Sequence, residues 1–351
     1  MRILFYVSKQ YSIPIISPLM DCLDAAGGHE YAVLASANVA RVLHQQGIRQ
    51  AGTVVTTMLE GKRFAPDFCL SPGNYVDWRI PGIKVGLFHG IGVEKASHYR
   101  IRHFFDVYLT SGPLVTGRFC ELAKRYRYFL VRETGWPKMD YIMNYPANGL
   151  RERLGIAQGK NVILYAPTFS ARLESCTELL GMLGQCIRAD EVWYVKFHEF
   201  MNRGLVARLR EMAGDSLRLV DTFDITPYLH CADVLVSDTS SVVYEFMALD
   251  KPVVTYRTTG ARDKGIDIIS SRELRPALDR ALSCPGEHAQ AHRRHLAQVN
   301  PNLQGTICSD VLATLESILT NNELPARRKP LNLYRKLTIM KNEVFRKGYL
   351  K

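Results

Sequence analysis

The 351 residues exceed one ordinary domain and predict two of roughly 150 each. A hydrophobic share of 47% with 23% charged residues excludes long disorder and predicts a sizeable core. The formal charge of +11 is gathered at the end, where residues 326–351 hold nine Lys or Arg against one Glu, a net of +8, and predict an anionic partner for that tail.

Eight cysteines are spread along the chain without a CxxC pair. That spacing excludes the usual zinc sites and disulfide frameworks, and predicts buried free thiols in a reducing, cytoplasmic compartment. Residues 1–7 (MRILFYV) are too short for the apolar part of a signal peptide and read as a strand. No run of about 18 apolar residues occurs, so no membrane span is predicted.

In chain order, a strand at 2–7 is followed by a helix at 15–26, a strand at 31–35 and a helix at 37–46 stopped by Gly47. Further strands are expected at 53–57, 68–71, 84–88 and 107–110, and a helix at 114–125. Strands and helices alternating at this pitch mean a parallel sheet covered on both faces. Pro146, Asn148 and Gly149 mark a linker. The pattern then restarts, with strands at 161–165, 192–197, 217–220, 233–236 and 252–256. From residue 271 on, three helices are expected (273–282, 286–298 and 304–319), then a basic amphipathic tail in which Leu333, Leu337, Met340 and Val344 recur at helical spacing. The fold class is therefore α/β, two Rossmann-like parallel-sheet domains facing across a cleft: 1–148, 149–325, and the tail 326–351.

Ligands of open α/β sheets sit beyond the C-terminal ends of the strands. In the first half the strand at 84–88 ends in His89-Gly90-Ile91-Gly92, with Glu94 and Lys95 in the same loop. In the second half three strand ends present Thr168 with Ser170, Lys196 with His198, and the turn Ser237-Asp238-Thr239-Ser240-Ser241. That turn leads into a helix at 242–249 carrying Glu245. Ser240 or Ser241 could cap this helix, or the turn could hold a phosphate against the helix N-terminus. Three polar strand ends on one sheet edge favour a ligand. The chemistry that fits is transfer of a nucleotide-activated group. An imidazole such as His89 takes a proton near neutral pH. Cations and N–H dipoles receive the leaving phosphate. Acidic residues do not cluster at strand ends, so metal independence is expected and no cofactor is implied. No P-loop, GxGxxG or GxSxG pattern occurs, against an ATPase, a nicotinamide dehydrogenase or an α/β hydrolase.

The order of Phe88-His89-Gly90, Lys95, Tyr165-Ala166-Pro167-Thr168-Phe169, Lys196-Phe197-His198, Asp233 to Val242 and Lys251 to Tyr256 resembles the CDP-glycerol glycerophosphotransferase family of teichoic acid synthesis. The resemblance spans residues 84–257. It implies a GT-B fold and transfer of glycerol phosphate, or a related polyol phosphate, from a CDP-linked donor to a lipid-linked or polysaccharide acceptor of the cell envelope. It implies work at the inner membrane face, with the tail on an anionic surface. Matched by motif, His89 is the base, with Gly90 and Lys95 on the acceptor side. His198 contacts the donor pyrophosphate. Thr168, Lys196, Ser237, Asp238, Ser240, Ser241 and Glu245 line the donor site. Departures are Phe88 and Phe169 for Trp, Ser170 for a basic residue, Glu199 for Pro, Thr239 for Tyr and Glu245 for Asp. A GT-B glycosyltransferase using a nucleotide sugar is the alternative. A nucleic-acid binder is disfavoured, because no recognised motif accompanies the basic tail.

Overall fold

The computed structural model describes residues 1–45, 52–198 and 200–341. These form two compact units, Met1–Tyr141 together with the described residues from Val299 on, and Ile142–Gln298.

The first unit is built on a parallel sheet of β1 (Arg2–Val7), β2 (Glu30–Ala35), β3 (Gly52–Val55), β4 (Phe68–Ser71), β5 (Ile83–Gly86), β6 (Val107–Thr110) and β7 (Leu130–Glu133), in the order β3-β2-β1-β4-β5-β6-β7. Ile3, Leu4 and Phe5 of β1 are wholly buried, because helices cover both faces of such a sheet. One side of its core is aromatic, with Phe105, Tyr108, Phe119, Tyr128 and Phe129 in a single cluster.

The chain returns to this unit after the second sheet. A side chain at Gly112 would collide with the Val299 backbone at 2.7 Å, and one at Gly135 (φ +92°) with Ile307 at 2.7 Å. Asp140 accepts the Cys308 N–H at 2.8 Å, and Asn300 accepts the Trp136 N–H at 2.8 Å. The helix Ile307–Thr320 thereby packs against the helix Ile13–Ala26. The expected boundary at 325 lies behind this helix, whereas the packing groups residues from 299 on with the first sheet. A helix's periodicity shows that it has an apolar face, not which sheet that face covers.

The second unit has β8 (Asn161–Tyr165), β9 (Glu191–Val195), β10 (Leu217–Leu219), β11 (Val234–Ser237), β12 (Val253–Tyr256) and β13 (Ile266–Ile268), all parallel, in the order β10-β9-β8-β11-β12-β13. Each unit thus follows the doubly wound pattern, with its topological switch beside the first strand of the unit. Val162 to Tyr165 of β8 are all buried at 0% exposure, the mark of a central strand.

The short elements at 58–63, 203–211 and 266–268 went unforeseen. Those at 58–63 and 266–268 are too brief to show a period. The strand expected to reach residue 88 stops at Gly86, because the chain turns at Phe88 (φ 61°). The helix expected at 37–46 is Ala37–Gln45, and residue 46 lies outside the described residues. So do Glu199 and Val344.

Candidate active site

The three polar loops of the second unit leave neighbouring strands at one level. Register places Tyr165 beside Val195 of β9 and beside Val236 of β11. The Lys196 N–H donates to Tyr165 O at 2.9 Å, and the Ala166 N–H to Val236 O at 2.9 Å. The loops after β9, β8 and β11 are therefore adjacent, and the last two flank the switch point.

Within this edge the expected residues divide into two groups. Ser237, Asp238, Thr239, Thr168 and Glu245 are buried. Asp238, 1% exposed, accepts from the Thr168 N–H at 3.0 Å and from both the N–H and the hydroxyl of Ser175 at 3.0 Å. It ties the β8 loop to the β11 turn. The Ser237 hydroxyl donates to Ala166 O at 2.6 Å, a second tie across the same gap. Thr239 stands where the family has Tyr, and its hydroxyl oxygen accepts the Thr259 N–H at 2.9 Å. These groups build the edge. Lys196, His198, Ser240 and Ser241 are partly exposed along it.

Ser241 occupies the N-cap position of the helix Val242–Met247, yet its side chain makes no capping hydrogen bond. The capping reading of the turn is not what the structure shows at Ser241. His198 accepts the Phe200 N–H at Nδ1, 3.2 Å away. A neutral ring held so carries its proton on Nε2 and presents an N–H donor there. Its ring lies 4.3 Å from that of Phe169 and 5.2 Å from that of Phe200, both exposed.

In the first unit His89 is exposed, one residue after a left-handed Phe88. An aromatic residue in that conformation costs about 1–3 kcal/mol. Phe88 is held there by stacking on His98 (4.6 Å between centroids), by an edge contact with Phe119 (5.1 Å) and by the Trp136 indole N–H, which donates to its carbonyl at 3.2 Å. Tyr11, from the loop after β1, lies 6.1 Å from the His89 ring. Burial, with added repulsion from His89, Arg102 and Lys95, pushes the His98 imidazole down to about 3. His98 is thus neutral at pH 7. Gly90 and Lys95 lie in the same loop, where the Lys95 N–H donates to Gly92 O at 3.0 Å. Sequence reading passed over His98, since nothing local marks an imidazole that acts through stacking.

Among the described residues, no group of three or more His, Cys, Asp or Glu is placed to hold a metal ion, and no helix is long and apolar enough to cross a membrane. The tail helix Leu333–Ile339 is moored through its start. Asn332 donates to Arg102 O at 3.0 Å, and Lys329 pairs with Asp106 at 2.7 Å. Three of its side chains lie outside: Leu333 is 63% exposed, Tyr334 85% and Leu337 65%.

Residues 92–260 match the family model of CDP-glycerol:poly(glycerophosphate) glycerophosphotransferases. The teichoic acid glycerol-phosphate primase of Bacillus spizizenii is 29% identical over 179 residues, which are 47% of this chain and 45% of that relative. The chain thus spans less than half the length of this curated relative. The wall teichoic acid polymerase TagF superposes over 92% of this chain and 89% of its own, with a TM-score of 0.64 at 14% identity. The UDP-GlcNAc 2-epimerase of Neisseria meningitidis covers 90% of this chain with all of its own, at a TM-score of 0.59 and 13% identity. These two likenesses show the fold, a GT-B architecture. The stretch that matches the family model of CDP-glycerol:poly(glycerophosphate) glycerophosphotransferases, just under half of the chain, holds all three polar strand ends of the second sheet.

Proposed function

We propose that this chain transfers glycerol phosphate, or a related polyol phosphate, from a CDP-linked donor to a hydroxyl of a cell-envelope polymer. One observation carries the reading: the adjacent edge of β9, β8 and β11, with its partly exposed cation, imidazole and two hydroxyls, lies wholly within the stretch matched by the family model. In this reading the His198 Nε2–H and the Lys196 ammonium bind the donor diphosphate, and the Ser240 and Ser241 hydroxyls donate to the same oxygens. Asp238, Ser237 and Thr239 hold those donors in place, with Thr168 and Glu245 as their buried support.

The acceptor oxygen bonds to the phosphorus that carries the polyol. The bond from that phosphorus to the bridging oxygen breaks, and CMP departs with the electron pair. His89 takes the proton of the attacking hydroxyl. Gly90 and Lys95 belong to the acceptor's side of this chemistry. The acceptor is lipid-linked or a polysaccharide, and the exposed Leu333, Tyr334 and Leu337 with the cations of the tail seat the chain on an anionic membrane surface.

A thermal-shift panel tests the donor. CMP and CDP-glycerol are expected to raise the melting temperature, and UDP-sugars to leave it unchanged. Stabilisation by UDP-sugars alone overturns the reading in favour of a glycosyltransferase.

A further inference from the structure

The first unit has a pocket at the C-terminal ends of β4 and β5, lined by Gly73, Asn74, Phe88, His98, Arg100 and Arg102. Its cations are unusual in their company. Arg102, partly buried, donates to neutral oxygens only: Arg100 O at 3.1 Å, Asn74 Oδ1 at 3.4 Å and Ser97 O at 3.5 Å. The mooring of Asn332 on Arg102 O starts the tail helix beside this pocket, and Arg335, three residues on, is near enough for its charge to act on Arg102. Burial, then Arg335 and Arg100, disfavour the charge on Arg102; burial and Arg100 do the same at Arg335. The nearby carboxylates of Asp77 and Asp106 are taken by Arg79 and Lys329. Among the described residues, no carboxylate pairs with Arg100, Arg102 or Arg335.

We propose that Arg100, Arg102 and Arg335 form a binding site for a phosphodiester anion. Three guanidinium groups held together without an acid repel one another, and an anion among them removes that repulsion. Their planar forks match phosphate oxygens two at a time. The pocket shares Phe88 with the turn that carries His89, so a phosphodiester held there lies at the same sheet edge as the proposed base. For the ligand's identity this rests on the transferase reading. The site then selects an acceptor chain that already bears a phosphodiester, gripping one linkage behind the hydroxyl that reacts.

The test uses the full chain, a synthetic glycerol-phosphate trimer and phosphatidylglycerol vesicles. Arg100→Gln and Arg335→Gln are each expected to weaken trimer binding about tenfold, the worth of one charge-assisted hydrogen bond. Arg102→Lys keeps the charge, loses the fork and should weaken it as well. CDP-glycerol binding and melting temperature stay at wild-type values in the two Gln variants. Lys62→Gln, a remote exposed cation, serves as the control for net charge and should bind the trimer normally. If the Gln variants lose vesicle binding alone, the site stands with a lipid headgroup as the source of its phosphodiester. Unchanged binding of both probes in both Gln variants overturns it. A wild-type chain that binds the trimer but not CDP-glycerol keeps this site and removes the donor reading instead.

Discussion

Replacing Asp238 with Asn swaps one carboxylate oxygen for an NH2 group without changing the shape of the side chain. At 1% exposure, no water can make up the difference. The carboxylate now accepts from the Thr168 N–H, the Ser175 N–H and the Ser175 hydroxyl. Oδ2 accepts from all three and Oδ1 shares the Thr168 N–H, so an amide oxygen in the Oδ2 place leaves the buried amide nitrogen facing the Thr168 N–H at 3.0 Å. One hydrogen bond to a charged group is lost, at about 1.5–3 kcal/mol, and one buried N–H is left unsatisfied, at about 1–3 kcal/mol. A loss of about 3–5 kcal/mol follows, against a total stability of about 5–15 kcal/mol for a domain. In urea, with a slope of about 1–3 kcal/mol per molar, the unfolding midpoint should fall by about 2 M. An unchanged midpoint with lost nucleotide binding would refute the reasoning, since the carboxylate would then be a ligand contact and not a tie between loops.

Three further outcomes are expected. Ser240→Ala with Ser241→Ala should leave the melting temperature unchanged and weaken CDP-glycerol binding; a large fall in stability would restore the capping role. His98 charges in the folded state only near pH 3 and in the unfolded chain near 6.5, so the folded state binds fewer protons between those values. Stability should therefore fall as pH drops through about 6.5 towards 3, by up to about 1.4 kcal/mol per unit, and His98→Gln should flatten that slope. Equal slopes in urea midpoints for wild type and variant would contradict the assignment. Leu333→Asp with Leu337→Asp should reduce sedimentation with anionic vesicles without altering turnover on a water-soluble acceptor, and unchanged sedimentation would remove the membrane role.

The parallel strands were legible because each central one is a short apolar run ending in polar or glycine residues. Lys196 and His198, or Ser237 to Ser241, follow such runs directly, and the order of the strands then makes them neighbours. Which of those residues meets solvent was not legible. Thr168 and Ser240 look alike as hydroxyl residues after a strand, yet one is buried and the other half-open, because Asp238 draws the Thr168 backbone inward. The His198 tautomer depends on a backbone N–H two residues on, and His98 on a stack formed only when Phe88 turns left-handed. The Arg100, Arg102 and Arg335 group joins residues more than 200 positions apart, beyond any local pattern. The return of residues from 299 on to the first unit was hidden for the same reason.

The central claim is tested most directly by CMP release from CDP-glycerol in the presence of a glycerol-phosphate acceptor. The wild-type chain is expected to release CMP as the acceptor gains one phosphodiester. His89→Ala should lower that rate by about 10²–10⁴-fold, the usual worth of a general base, with the melting temperature unchanged because the ring is exposed. Near-normal CMP release by His89→Ala would contradict the assignment of the base. No release by the wild type with CDP-glycerol, alongside turnover of a UDP-sugar, would contradict the account as a whole.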